Sequence, residues 1–278
     1  MNPRDLIRNA SCRFREAGIP DPETDAALLL AHLTGGHPLS LRLDTDSCLS
    51  PDTVSAYESL VLSRLKRRPL QYLLGYTFFF GNRFKVDERV LIPRPETELL
   101  CEWALYEIGF IREPLVLDLC CGSGCIGLSL KHARPDIRLV LSDLSCDALN
   151  VAADNAADLG LDVSLNHGDL LDGFPADSFH MILSNPPYIP SSECSALQEE
   201  VLHEPLLALD GGADGMDFYR RIIAGARSVL LPGGILMLET GIGEADTVAV
   251  MLQEHDYRSI EVREDLNGIK RMIMASKP

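Results

Sequence analysis

From Leu115 to the end of the chain, short apolar runs alternate with amphipathic stretches of helical period, and few folds accommodate that order. The pattern predicts strands over 115–120, 137–143, 162–166, 179–184 and 235–239, and helices over 124–133, 145–159, 217–231 and 244–255. Two further strands, 257–263 and 269–275, finish it. Strands joined through helices run parallel, because each crossover helix packs back onto a sheet face, so a doubly wound α/β architecture follows. Ligands of such sheets bind outside the carboxyl ends of the strands.

The first strand end, Val116-Leu117-Asp118-Leu119-Cys120-Cys121-Gly122-Ser123-Gly124, turns tightly into a helix, and Gly122, Gly124 and Gly127 have G-x-G-x-x-G spacing. Asp143 ends the next strand, nineteen residues beyond Gly124, where a carboxylate can hold a ribose diol. Both features suit NAD and an adenosyl cofactor alike. Asp118 separates them: a carboxylate at that strand end repels a pyrophosphate but suits the sulfonium and α-ammonium of S-adenosylmethionine. After the third strand, Asp169 can accept a hydrogen bond from an adenine amino group, with Leu170 against the ring.

The strand 179–184 leads into Asn185-Pro186-Pro187-Tyr188, an unusual way to leave a sheet. Asn185 offers a side-chain carbonyl, and Pro187 restricts Pro186 to extended backbone, so the Pro186 carbonyl points in a nearly fixed direction. Tyr188 can lay its ring on a planar group. Two fixed acceptors beside an aromatic suit a planar –NH2, whose lone pair is delocalised and poorly nucleophilic. Holding its N–H bonds on those acceptors favours the pyramidal geometry needed for alkylation. Asn185, Pro186 and Tyr188 are thus the catalytic candidates, and with Pro187 they form the expected substrate grip.

The first 70 or so residues carry helix signals instead: Asn2-Pro3, Asp21-Pro22 and Ser50-Pro51 each precede an apolar-periodic stretch. A small helical bundle is expected. Residues 76–80 and 83–86, separated by Gly81-Asn82, read as a β-hairpin. Leu91-Ile92-Pro93-Arg94-Pro95-Glu96-Thr97-Glu98 follows, and there Thr97 and the two glutamates are candidates to face a cationic ligand. A formal charge of −16 argues against sequence-independent binding to nucleic acid, and the one dense basic stretch is Arg64-Leu65-Lys66-Arg67-Arg68. The eight cysteines include no Cys-x-x-Cys pair, so no metal site is expected. No apolar run reaches membrane-spanning length and no signal segment opens the chain, so a cytoplasmic protein is expected.

Over nearly its whole length the sequence resembles the peptide chain release factor glutamine methyltransferases, the PrmC/HemK family. The matching stretches are Arg68-Pro69-Leu70-Gln71-Tyr72-Leu73-Leu74-Gly75, residues 91–98, Leu117-Asp118-Leu119 with Gly122-Ser123-Gly124, and Ser184-Asn185-Pro186-Pro187-Tyr188-Ile189. Glu204-Pro205, Gly211-Gly212-Ala213-Asp214-Gly215 and Tyr219-Arg220 extend them. The resemblance implies a Rossmann-like (class I) methyltransferase sheet over 91–278, an N-terminal helical bundle domain over 1–75 that helps hold a release factor, and a linking β-hairpin over 76–90. It also implies S-adenosylmethionine as cofactor and methylation of the glutamine amide nitrogen (N5) in the Gly-Gly-Gln motif of release factors. By position, Asp118, Cys120, Cys121, Gly122, Ser123, Gly124, Asp143, Asp169, Leu170 and Asn185 become cofactor contacts. Cys120 and Cys121 depart from the glycine and small hydroxyl residue usual there, and Glu244-Ala245 from a frequent glutamine.

The rival reading is a nucleic-acid methyltransferase acting on an exocyclic amine of adenine or guanine, since the same pocket fits one. A non-catalytic helper of translation, binding release factors through the helices, is the rival of another class.

Overall fold

The computed structural model describes residues 1–278, which divide into two compact units. The first comprises Met1–Tyr76 together with Gln198–His203. Its helices are α1 (Pro3–Glu16), α2 (Pro22–Thr34), α3 (Pro38–Leu43), α4 (Pro51–Leu65) and α5 (Leu70–Leu74). Proline opens the first four, where its missing N–H costs no hydrogen bond. Asn2 and Ser50 cap α1 and α4 by accepting the N–H groups of Asp5 (2.8 Å) and Thr53 (3.1 Å). Short α3 and α5 have too few turns for a periodic signal, and the sequence reading missed them. Phe14, Leu29, Leu30, Tyr57 and Val61 form the core, and the Tyr57 hydroxyl donates to the Ala26 carbonyl.

The basic stretch at 64–68 is spent inside this unit. Arg64 is buried, donating from Nε to Asp25 at 2.7 Å and from Nη1 to Glu200 at 3.0 Å. Arg67 pairs with Glu199 and Glu200 and donates to the Gly18 carbonyl. These two guanidinium groups are committed to carboxylates and are not free for phosphates.

The second unit comprises Thr77–Leu197 and Glu204–Pro278. The hairpin strands are β1 (Tyr76–Phe79) and β2 (Asn82–Lys85), so the turn is Phe80-Gly81, one residue earlier than expected. Both turn residues have positive φ, 49° and 75°, the backbone that matches strand twist in a two-residue hairpin. Glu98 accepts the Phe80 N–H at 2.8 Å, which anchors this strained turn and gives Glu98 a structural task.

After α6 (Glu98–Glu107) come β3 (Leu115–Leu119), α7 (Cys125–Ala133), β4 (Arg138–Asp143), α8 (Cys146–Asp158), β5 (Ser164–His167), β6 (Phe179–Ser184), α9 (Asp217–Val229), β7 (Leu230–Glu239), α10 (Ala245–Glu254), β8 (Arg258–Glu264) and β9 (Lys270–Ser276). The seven-stranded sheet has the order β5-β4-β3-β6-β7-β9-β8. β3 to β7 are mutually parallel, β9 pairs antiparallel with β7, and β8 pairs antiparallel with β9 at that edge. Alternation along β3 shows the double winding: Val116 packs with Leu100, Leu128 and Ala152 on one face, Leu117 and Leu119 with Ile222, Ile223 and Val248 on the other.

One expected boundary moves. Leu230 and Leu231, read as the last helical residues, begin β7 instead, with Leu230 opposite Phe179. Two leucines fit a helix face and a buried strand equally well, so only the pairing partner decides.

Candidate active site

The carboxyl ends of β3, β4 and β6 open into a cleft of about 990 Å3, mouth included. Of the residues singled out from sequence, Cys120, Cys121, Gly122, Ser123, Asp143, Asp169, Leu170, Asn185 and Pro187 are on its wall. Asp118, Gly124, Pro186 and Tyr188 are not on that wall. Residues from separate loops are brought together because parallel strands all end on one side.

The turn after β3 is held by Asp143. Its Oδ2 accepts the Gly122 N–H at 2.9 Å and its Oδ1 the Ser145 N–H at 2.9 Å, so one carboxylate fixes both the glycine turn and the start of α8. Burial pushes the Asp143 carboxyl upward against these backbone hydrogen bonds. Cys120 and Gly122 adopt left-handed φ of 57° and 53°. For Cys120, which carries a Cβ, this is a strained position that glycine occupies more easily. Burial pushes the Cys120 thiol up to about 12, so it stays a neutral wall atom. Asp169 pairs with Arg221 at 2.8 Å, both side chains about half exposed.

Asp118 corrects the sequence reading. Its side chain is fully buried on the α7 side of the sheet, where Oδ2 accepts the Gly127 N–H at 2.8 Å and Oδ1 has no partner. Burial, with Asp143 nearby, pushes its carboxyl from 3.8 up to about 8. It is not an anionic wall. The carboxylate that opposes a pyrophosphate is Asp143, which occupies the very N–H group a glycine turn would offer to phosphate.

A stability prediction follows from the raised value. The folded chain keeps a proton on Asp118 that the unfolded chain releases near pH 4, so this contribution is full below about pH 4 and is lost as pH rises through about 8. Asp118→Asn is expected to flatten the decline in denaturation midpoint between pH 5 and pH 9, measured by urea titration at several pH values. An unchanged slope would show that Asp118 is ionised in the fold.

The segment after β6 is braced from behind by the glycine loop at 211–215. Gly211 donates to the Ile189 carbonyl at 2.8 Å, Ile189 donates to Leu209 at 3.0 Å, and Ser191 donates to Gly212 at 2.8 Å. A Cβ on Gly211 would lie 2.7 Å from Tyr188 Cα and 2.8 Å from the Gly215 carbonyl oxygen, both backbone. Gly211→Ala therefore has to displace Tyr188. A stability loss of about 1–3 kcal/mol is expected by denaturant titration, with lower turnover in the folded fraction. A variant as stable and active as the wild type would show the loop to be pliable. Burial pushes the Tyr188 hydroxyl up to about 12, keeping it a donor.

Further polar residues complete the cleft. Thr97 is on the wall, and its hydroxyl donates at 2.6 Å to Glu239, the buried last residue of β7. Burial pushes the Glu239 carboxyl up to about 7, against hydrogen bonding from Thr97, the charge of Arg271 and hydrogen bonding from Asn185. The signal was available: Glu239 ends an apolar strand as Asp143 does. Glu204 accepts the Ile92 N–H at 3.0 Å and pairs with Arg94 at 2.6 Å, locking the turn before α6. Arg89, also on the wall, pairs with Asp87 at 2.6 Å, so both wall arginines have carboxylate partners.

Residues 5–75 match the PrmC N-terminal domain, and residues 97–213 match the methyltransferase small domain. A release factor glutamine methyltransferase of Deinococcus radiodurans is 40% identical over 277 residues, covering 100% of this chain and 99% of that protein. One from Cereibacter sphaeroides is 41% identical over 283 residues, with 100% and 99% covered. Among solved structures, a methyltransferase from Pyrococcus furiosus superposes with a TM-score of 0.54 at 15% identity, covering 80% of this chain and 98% of that one, a likeness of fold. No helix is long and apolar enough to cross a membrane. With its full length aligned to such relatives, this chain belongs to the release factor glutamine methyltransferase family.

Proposed function

We propose that this chain methylates the side-chain amide nitrogen of the glutamine in the Gly-Gly-Gln motif of peptide chain release factors, using S-adenosylmethionine. The observation that carries the reading is that Asn185 and Pro187 share one cleft wall with the Asp143-held glycine turn. A group bound at the turn and an amide bound at Asn185 are thereby neighbours.

The wall fits S-adenosylmethionine better than a dinucleotide. Asp143 takes the Gly122 N–H, and Arg89 and Arg94 are engaged by carboxylates, so a pyrophosphate meets a carboxylate at the turn and no unpaired wall guanidinium. Asp143 retains lone pairs for a ribose diol, Leu170 offers an apolar face to adenine, and Asp169 offers an acceptor to its amino group. When bound, the cofactor supplies an electrophilic methyl group on a sulfonium. Asn185 and the Pro186 carbonyl accept the N–H bonds of the glutamine amide, Tyr188 flanks the amide plane, and the nitrogen lone pair is directed along the line of transfer. The helical unit, matched by the PrmC N-terminal domain, helps hold the release factor.

The nucleic-acid alternative has less support, because Arg64 and Arg67 of the one dense basic stretch are engaged with Asp25, Glu199 and Glu200 and the formal charge is −16. The test is transfer of labelled methyl from S-adenosylmethionine to a purified release factor, beside the same factor with its loop glutamine changed to alanine and beside total RNA. Label confined to the intact factor supports the reading, and label on RNA overturns it.

A further inference from the structure

Asn185 is useful only if its amide faces the right way. Rotating the amide by half a turn exchanges a carbonyl acceptor for an –NH2 donor of nearly the same shape, and only hydrogen-bonding neighbours decide between the two. A glutamine amide nitrogen presents N–H donors, so the acceptor must face the cleft. Some acceptor-only group is needed on the other side.

Glu239 is that group. β6 and β7 are parallel neighbours with Ser184 opposite Leu238, so the next residues, Asn185 and Glu239, leave adjacent strand ends side by side. Glu239 is 2% exposed and is not on the cleft wall, whereas Asn185 and Thr97 are. The Thr97 hydroxyl already donates to its Oε2 at 2.6 Å. Asn185 also holds the Glu239 carboxyl down against the rise that burial causes, the direction a donor beside the carboxylate gives.

Resting on the reading above, we propose that Glu239 is a positioning residue that accepts the Asn185 –NH2 and the Thr97 hydroxyl together, turning the Asn185 carbonyl oxygen toward the nitrogen to be methylated. Once ionised, above about pH 7, the carboxylate has acceptors for both donors and no proton with which to compete. Glu239 never touches the substrate. It fixes the polarity of the group that does, and so makes the cleft select –NH2 donors over carbonyl acceptors.

Glu239→Gln preserves shape but leaves one acceptor for two donors, and its own –NH2 can pull the Asn185 carbonyl away from the cleft. The expected result is a fall in kcat of about 10²-fold, the size of losing one preorganised polar group, with the dissociation constant for S-adenosylmethionine unchanged. Adding Asn185→Asp to that variant restores complementarity. The new carboxylate accepts from the glutamine amide at 239 and still presents an oxygen to the substrate, so kcat is expected to recover at least about tenfold, one bond's worth. Asn185→Asp alone sets a second carboxylate beside Glu239 and stays slow. A purely structural role for Glu239 predicts no such recovery.

Wild-type kcat in Glu239→Gln, or a double variant no faster than it, overturns the assignment. The wild-type lane separates this from the broader reading: label on the factor with a fully active Glu239→Gln overturns the role of Glu239 alone. A wild type that labels no release factor overturns the proposed function and this inference with it.

Discussion

Asn185→Ala is expected to lower kcat by about 10²–10³, while the dissociation constant for S-adenosylmethionine stays near that of the wild type. The loss is large because the side chain is on the cleft wall directly after β6, with the rigid Pro187 on the same wall. An amide nitrogen attacks poorly until its lone pair is freed, so an acceptor that tightens on it as it becomes pyramidal stabilises the transition state more than the bound substrate. Removing the acceptor should therefore lower kcat much more than it raises KM. Single-turnover transfer to a release factor, alongside equilibrium binding of the cofactor, measures both. Turnover within a few-fold of wild type would remove Asn185 from the mechanism, and loss of cofactor binding would make it a cofactor residue first.

Arg64→Ala is expected to cost about 3–5 kcal/mol of stability, the penalty for leaving a buried charge without its partner. Arg64 and Asp25 are 5% and 9% exposed, the Nε–Oδ2 distance is 2.7 Å, and Glu200 shares the same guanidinium. Burial already pushes the Asp25 carboxyl upward, against the hydrogen bond and charge of Arg64. Without the arginine that carboxyl rises further and takes up a proton more readily. The penalty is thus expected to be larger at pH 8 than at pH 5, because protonation at the lower pH removes the uncompensated charge. Urea titrations followed by circular dichroism at the two pH values measure it. A loss below about 1 kcal/mol would mean that the pair behaves like an exposed salt bridge. Replacing Asp25 with asparagine in the same chain is expected to recover part of the loss, since it removes the stranded charge.

Most of the architecture was legible in sequence because it depends on local periodicity. Alternating apolar runs and helical stripes specify parallel strands and crossovers, and Pro3, Pro22 and Pro51 with their neighbouring caps marked three helix starts. Errors fell where local pattern is silent. A turn one residue away from Gly81-Asn82 exists because Glu98, distant in sequence, holds the Phe80 N–H. Leu230 and Leu231 joined a strand because Phe179 offered a pairing partner.

The site divides in the same way. Residue type and strand-end position suffice to name Asn185, Asp143 and the glycine turn, and the fold puts all three on the cleft wall. Asp118 was assigned to the wrong surroundings: side-chain alternation puts it on the face of β3 that α7 covers, so it holds Gly127 and carries a raised pKa instead of facing a ligand. The basic run at 64–68 looked available on charge alone, yet Asp25 and the segment 198–203 consume it. The sequence determined which elements form and which strand ends carry chemistry, since periodicity and backbone restriction act within a few residues. Tertiary structure alone decided which polar groups meet, as with Thr97 and Glu239. Hydrogen bonds and burial act over a few ångströms of space between residues far apart in the chain, and those contacts set the charge and orientation of each group.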